Sequence, residues 1–464
     1  MLSQEAIDAI LAKGRIYEVG GAVRDQLMSR AGSVKDRDYL VTGVAYDDLT
    51  SLLRKFGRVD VVGRSFGVIK LTQFRGDDSV TFDVSLPRKE HSTGVGHKDF
   101  AVNFDPDIPV TEDLIRRDFT INAMALSLDT HELVDPLNGK SDIDSKLIRM
   151  TSEQSFSEDP LRMLRAIQFA ARFQFEIEPD TLAAISRNAS LISSVSAERI
   201  ADELTKLLTL AEKPSVGFRL MQSTGLLKEI LPELDACFGV EQPGGFHAYD
   251  VFEHTIRAID ASKPSLRVRL AALFHDIRKP QHKRVVERGA TFYGHEMGGA
   301  KAAKVVMQRL RFPNDLGNEV GKLVELHMFT TDVTDKGMRR LIRRTGIELI
   351  FDLLDLRRAD VAAMGMGHTT EDVDEFEAKI RAEIDRKAPF GLKDLSLNGQ
   401  DLMEKFHLPA GPMIGKVLEH LLEKVLDVPE DNTPEKLEEY ARQFLASSPD
   451  ETIDSNSNNK GYVQ

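Results

Sequence analysis

Glu18–Gly43, EVGGAVRDQLMSRAGSVKDRDYLVTG, puts a glycine pair and an arginine a short distance ahead of two aspartates separated by one residue. The spacing predicts a strand ending at Val19, a turn at Gly20 and Gly21, a helix over AVRDQLMS and a second strand over KDRDYLVTG. Alternate strand residues share a face, so Asp36 and Asp38 are expected to point together and Arg37 away from them. Two carboxylates so placed can hold a hard cation such as Mg²⁺, which takes one or two protein carboxylates and completes its shell with water and substrate phosphates. Glycines without a Cβ let a triphosphate approach the backbone, the helix start supplies amide donors, and Arg24 supplies a planar fork for phosphate oxygens. One surface is therefore expected to hold phosphates and the neighbouring one the metal.

Outward from this stretch, 464 residues with 41% apolar content exceed what one compact core organises, so several domains are expected. Residues 1–150 mix β-branched runs (RVDVVG, GVIKLTQF, VTFDVSL) with helical stretches and read as an α/β domain. From Ser157 onward the spacing is helical, with HKRVVERGATFYG the one convincing strand pair. The segment 449–464 is too polar to pack. A single cysteine, Cys237, excludes an internal disulfide, and the amino terminus lacks the layout of a secretion signal, so a cytoplasmic protein is expected. No apolar run approaches the roughly 20 residues needed to cross a bilayer. A formal charge of −13 disfavours a nucleic-acid partner in bulk but leaves room for a local basic groove.

The order G-G-x-x-R-D followed by D-x-D resembles the class II tRNA nucleotidyltransferase and bacterial poly(A) polymerase family, and the resemblance extends over roughly residues 15–330. It implies an α/β nucleotidyltransferase head of the polymerase β type over 1–150, a helical neck over 151–215, an HD-type helical body over 216–335 and a helical tail region over 336–448. LIRRDFTINAMAL looks like the second family motif. There Arg117 and Asp118, flanked by Arg116 and Asn122, meet the nucleotide's sugar and phosphates, a carboxylate accepting from a ribose hydroxyl and a guanidinium reading phosphate. SEDPLRMLRAIQFAARF looks like the base-reading motif, in which a helix would line Asp159, Arg162 and Arg165 along one edge. Gln168 stands where related enzymes often carry another arginine. PRKEHSTGVGHKDFAVNFD corresponds to the family's flexible loop, with Lys89 and Lys98 as candidate phosphate or tRNA contacts, and Asp83 is a candidate third carboxylate of the metal site.

Beyond the neck, His254, His275 and Asp276 lie on two expected helices, and His295 and His327 follow. Imidazoles beside a carboxylate suit a divalent ion that activates water against a phosphate ester. The order resembles the HD phosphohydrolase domain of one bacterial branch of the nucleotidyltransferases, which implies a second divalent metal. Arg278 replaces the glycine usual after the His-Asp pair and would set a cation near that metal, and Asp332 and Asp335 are both candidates for the final ligand. The implied reaction is Mg²⁺-dependent, template-independent transfer of C and A from CTP and ATP to the 3′ end of tRNA. A poly(A) polymerase, a CC-only or A-only enzyme, a phosphohydrolase with an RNA-binding head, and a non-catalytic RNA scaffold are the rival readings.

Overall fold

The computed structural model describes residues 1–29, 37–60, 67–76, 78–92, 100–287, 289–386 and 388–447. Asp36, Lys98 and the segment 449–464 lie outside these residues, as do the side chains of Arg75, of 89–92 (Lys89 among them) and of 100–103.

The amino-terminal part is a seven-stranded sheet built from β1 (Arg15–Val19), β2 (Asp38–Thr42), β3 (Arg58–Asp60), β4 (Val68–Arg75), β5 (Asp78–Ser85) and two later strands. After the separate hairpin of β6 (Arg88–Ser92) and β7 (Phe100–Phe104), β8 (Ala125–Ser127) and β9 (Leu133–Val134) return to it, in the order β3-β4-β5-β2-β1-β8-β9. β2 and β5 run parallel and the other neighbours antiparallel.

Both faces of this sheet are covered, and the side-chain period of two divides them. Ile16, Tyr39, Val41, Phe82 and Val84 enter one core together with Ala6, Ile7 and Ile10 of the helix Gln4–Leu11. Tyr17, Val19 and Leu40 enter the other, with Leu114 and Ala123. This alternation fixes which acids meet. Arg37 follows the parity of Tyr39, on the face of Glu18, and its guanidinium donates to the buried Glu18 carboxylate at 2.6 Å. Asp38 follows Leu40 to the opposite face. Asp83 flanks Phe82 and Val84, so it too falls on that opposite face.

The rest of the chain is helical apart from two short strand pairs among the described residues, Leu147–Ile148 with Glu176–Ile177 and Arg284–Val286 with Gly289–Thr291. One continuous apolar cluster runs from Phe119, Ile121 and Met124 of the head through Leu164, Ile167 and Leu207 to Ile256, Leu323, Leu353 and Phe390. The core therefore does not divide at residue 215 or at residue 335. A separate cluster begins at Leu395 and closes over Leu402, Leu421, Leu437 and Ala441. No described helix is long and apolar enough to cross a membrane.

Candidate functional site

The end of β1 and the start of β2 are neighbours, Val19 facing Asp38 in the register, so the Gly20 turn emerges beside that aspartate. Gly20 has φ +71° and ψ −134°, a conformation essentially reserved for glycine, and it caps the helix Gly21–Leu27. A Cβ on Gly20 would lie 2.9 Å from a guanidinium nitrogen of Arg117, and one on Gly21 would lie 3.3 Å from Arg24. The missing side chains are what let two arginines sit against the turn. Asp38 is also the register partner of Asp83 across the parallel β2–β5 pair. Asp83 is paired to Lys70 at 3.1 Å.

These residues open into one cleft of about 1070 Å³ between the sheet and the helices Leu161–Phe173 and Ala197–Leu210. Gly20, Gly21, Arg24, Asp38, Arg117, Asp118, Asn122, Asp159, Arg162 and Arg165 all line it, with Asp83 and Arg116. The volume is slightly above the range of about 300–1,000 Å³ typical of sites for drug-sized ligands.

Inside the cleft several of these side chains are held by protein partners. Arg24 is buried, 5% exposed, and its fork is engaged by protein: Nε and Nη2 reach Asp25 at 2.8 and 2.7 Å, and Nη1 reaches Asn122 at 2.7 Å. Its guanidinium also stacks 4.6 Å from the Phe173 ring. It ties the glycine turn to the neck from the wall of the cleft. Asp118 is held in the same way. One oxygen accepts from the Phe119 amide and the Asn122 amide group, both at 2.9 Å, and the other accepts twice from Arg165, at 3.1 and 2.7 Å. Burial alone would raise the Asp118 carboxyl, but Arg165 and Asn122 outweigh it and hold the group below the usual carboxylate range. Asp113, at 0% exposure, likewise stays low because Arg116 and Arg117 beside it outweigh its burial.

Asp159 is not on the helix at all. It precedes it in an extended conformation, accepts from the Leu161 amide at 3.3 Å and pairs with Arg199 at 2.8 Å. Arg162 donates to the Ser155 hydroxyl at 3.0 Å and to the Arg116 carbonyl at 3.0 Å, and Arg165 bridges Asp118 to the buried Glu203. Arg199 and Glu203, both on Ala197–Leu210, were missed in the sequence because their partners lie 40 and 38 residues away, respectively. The four-residue spacing of ERIADEL is the one local signal that they share a helix face.

A second constellation sits inside the body. The helices Val251–Ala261, Leu266–Phe274, His295–Arg309, Asn314–Leu326 and Ile350–Ala363 pack together and bury His254, His275, Asp276, His295, His327 and Asp360. Three imidazoles are oriented alike. Nδ1 of His275, His295 and His327 each lies 2.7 Å from a carbonyl three residues earlier, those of Ala272, Phe292 and Val324. That contact needs a proton on Nδ1 and turns Nε2 inward. Nε2 of His295 and His327 then face each other at 3.3 Å, and Nε2 of His254 and His275 do so at 3.2 Å. Two such lone pairs repel unless a proton or a cation lies between them. Asp276 stands among them, 3.3 Å from His295, 3.4 Å from His254 and 3.2 Å from His275.

Two expectations change here. The final carboxylate is neither Asp332 nor Asp335 but Asp360, 3.1 Å from His254 and 106 residues away from it in sequence. The cation at the cluster is Lys279, whose ammonium pairs with Asp276 at 2.7 Å and donates to Gln242 at 2.7 Å, whereas Arg278 lies against Gly298. Burial alone would lower His275, but Asp276 and Asp360 lift its pKa to about 10, while burial and the neighbouring His275 drive His327 down to about 3. Among the described residues the donors fall into three overlapping groups: His247, His254 and Asp360; His254, His275 and Asp276; and Asp276, His295 and His327. Nitrogen donors of fixed tautomer with ionised carboxylates suit a borderline transition ion better than Mg²⁺.

Three family models match the chain: the poly(A) polymerase head domain over residues 16–149, a probable RNA- and SrmB-binding site of polymerase A over 174–238, and tRNA nucleotidyltransferase domain 2 over 290–441. The multifunctional CCA protein of Cupriavidus metallidurans is 36% identical over 321 residues, covering 65% of this chain and 72% of that protein. Its counterpart in Herminiimonas arsenicoxydans is 38% identical over 309 residues, 65% of this chain and 70% of that protein. Among solved structures, the Bacillus stearothermophilus CCA-adding enzyme in complex with CTP superposes with a TM-score of 0.71 at 24% identity, covering 96% of this chain and 98% of that one. The Thermotoga maritima CCA-adding enzyme complexed with tRNA gives 0.57 at 22% identity, with 95% and 93% covered.

Proposed function

We propose nucleotidyl transfer to the 3′ end of tRNA for this chain, which belongs to the tRNA nucleotidyltransferase family of the multifunctional CCA proteins. The observation that carries the proposal is the convergence of the Gly20–Gly21 turn, Asp38 and the arginines of both head and neck on a single cleft. In the reaction the terminal hydroxyl of tRNA attacks the α-phosphorus of CTP or ATP, an O3′–P bond forms, and the bond to the β-phosphate breaks with release of pyrophosphate.

The chain's contribution is positioning and charge. The bare turn at Gly20 admits the triphosphate, and Arg117, whose Nη1 lies against that turn, faces the phosphates. Arg24, Asn122, Asp118 and Arg165 form one hydrogen-bonded line from the turn to the neck, so the phosphate-binding and base-facing walls keep a fixed separation. Asp159, held by Arg199, and Arg162 stand at the base-facing end, where a carboxylate and a guanidinium match the polar rim of a base without any template. The hard oxygen donors at the start of β2, where the cleft opens, fit Mg²⁺, with Asp38 as a ligand, Asp83 its neighbour in the register and Asp36, outside the described residues, as the expected second ligand; such an ion would supply charge neutralisation at the phosphates.

Incubating the protein with tRNA that ends before CCA, in CTP alone, ATP alone and both, tests this. Addition of two C residues from CTP and of a terminal A only when both are present is the expected result. Long A tails on unrelated RNA would favour poly(A) synthesis instead, and no incorporation from any nucleotide would overturn the reading.

The buried histidines favour a second activity in the same chain. We infer an HD-type body whose His254, His275, Asp276 and Asp360 hold one divalent transition ion and whose Asp276, His295 and His327 are arranged for another. When bound, the metal supplies an activated water for phosphate-ester hydrolysis. The residues themselves fix the imidazole tautomers through backbone carbonyls and keep Asp276 ionised beside Lys279. Hydrolysis of a 2′,3′-cyclic phosphate that survives Asp38→Ala but not Asp276→Ala supports this, and hydrolysis unaffected by Asp276→Ala contradicts it.

A further inference from the structure

Arg278 follows the buried Asp276 by two residues and is half-buried, yet among the described residues its guanidinium has no hydrogen-bond or ion-pair partner. That sets it apart in the helical body. Every other arginine there of comparable burial is held by protein, as Arg257 is by Glu253, Arg267 by Asp352 and Arg357 by Asp360.

The stem of Arg278 crosses the helix His295–Arg309 at Gly298, where a Cβ would lie 3.5 and 3.6 Å from its own Cβ and Cγ. Gly298 is three residues beyond His295, so Arg278 lies along the helix face that carries His295, one turn outside the cluster. The neighbouring charges are committed elsewhere. Lys279 is 7% exposed and fixed by Asp276 and Gln242, both at 2.7 Å, and the Glu296 carboxylate lies 3.5 Å from Nδ1 of His295.

A guanidinium is a planar fork of donors with no acceptor, which matches phosphate oxygens. The phosphate to be hydrolysed falls to the donors inside, since His254, His275 and Asp276 are at most 1% exposed. A cation outside them meets what the substrate carries beyond that phosphate. In a nucleotide chain the next anion is the phosphate on the far side of one nucleoside. Tyr293 and Met297, 85% and 48% exposed, flank His295 and offer that nucleoside an apolar wall.

We propose that Arg278 makes the site in the body selective for nucleotides that carry a second phosphate, its guanidinium pairing with the phosphate one nucleoside away from the one hydrolysed. The proposal rests on the phosphohydrolase reading above. In that step water adds to the phosphorus of a 2′,3′-cyclic ester, one ring P–O bond breaks, and the freed ribose oxygen takes the proton. Arg278 touches none of these atoms and acts through binding alone. The glycine usual at this place offers no such contact, so the selectivity belongs to chains with an arginine here.

The test compares adenosine 2′,3′-cyclic phosphate with and without a 5′-phosphate, as kcat/KM of the metal-loaded protein with CTP saturating the head cleft. Calorimetric affinities of adenosine 3′,5′-bisphosphate and adenosine 3′-phosphate under the same conditions give a second readout, and elemental analysis gives the metal per chain. In the wild type the 5′-phosphate should raise both kcat/KM and affinity about tenfold or more. Arg278 makes no bond to protein, so Arg278→Gly is expected to fold; it should lose that gain at unchanged metal content. Arg278→Lys, which keeps the charge without the fork, should retain part of it. A wild type without the gain, a gain that survives Arg278→Gly, or metal lost from Arg278→Gly overturns the proposal while leaving phosphohydrolysis standing. A wild type that hydrolyses neither probe but prefers the bisphosphate through Arg278 supports the contact and refutes the hydrolase reading.

Discussion

Replacing Arg165 with methionine removes the pair that joins the head to the neck. Asp118 loses both bonds to one oxygen, at 2.7 and 3.1 Å, and keeps the two on the other from Phe119 and Asn122. Truncating one member of a buried ion pair costs about 3–5 kcal/mol, because the remaining charge is left without its counterpart. Half of the Asp118 bonds survive and the Arg165 side chain is 31% exposed, so the lower end, about 3 kcal/mol, is expected. Asp118→Asn in the same chain removes the orphaned charge, so the double variant should lie within about 1 kcal/mol of Asp118→Asn alone, giving a coupling energy of about 2 kcal/mol. The chain has no tryptophan and more than one core, so a single global transition is a poor probe. Amide hydrogen exchange of Leu161–Phe173 reads the local opening energy directly. If Arg165→Met leaves the protection of this helix unchanged, or if Asp118→Asn fails to rescue it, Arg165 is not the strut inferred here.

The same carboxylates give an acid response of known sign. The folded Asp113 and Asp118 carboxyls are depressed, so their contribution is present above the unfolded value near 3.9 and is lost as pH falls through the lower folded value. Arg165→Met leaves burial to raise the Asp118 carboxyl, so protonation relieves the orphaned charge and the stability gap between variant and wild type should narrow as pH falls, which calorimetric scans between pH 3 and 6 would register. Gly20→Ala should lower kcat/KM for CTP at least tenfold in steady-state incorporation kinetics, since its backbone conformation costs about 1–3 kcal/mol for a residue with a Cβ and the methyl would displace Arg117. In the body, Asp360→Asn should reduce the bound transition metal measured by elemental analysis, whereas Asp332→Asn and Asp335→Asn should leave it at the wild-type amount.

How far the sequence could be read followed the range of the interactions. The glycine turn, the parity of Arg37 and Asp38, and the strand-to-helix change near residue 150 are local, set by spacing within a few residues. They stood in the sequence because backbone geometry alone dictates them. The commitment of Arg24 was not visible, since it depends on Asn122, 98 residues on, and on the ring of Phe173. The helical edge expected for Asp159, Arg162 and Arg165 was wrong at its first member because Pro160 caps the helix and, as the residue before a proline, Asp159 is held extended. Asp360 was missed for a similar reason: it lies in LRRADVAA, where charged residues recur on several faces, and only the packing of Ile350–Ala363 against Val251–Ala261 singles it out. Asp332 and Asp335 were closer in sequence to His327, but proximity along the chain does not carry a side chain into a buried cluster. The pair Lys279 and Arg278 makes the same point over one residue, the first turned to Asp276 and the second to Gly298.

The proposed function rests above all on the acid at the start of β2 serving nucleotide transfer beside the glycine turn. The most direct measurement is the rate of labelled CTP incorporation into tRNA ending before CCA by Asp38→Asn, with folding verified by circular dichroism. The expected result is a loss of at least a thousandfold at unchanged tRNA binding, about 4 kcal/mol of transition-state stabilisation. Incorporation at the wild-type rate would contradict it.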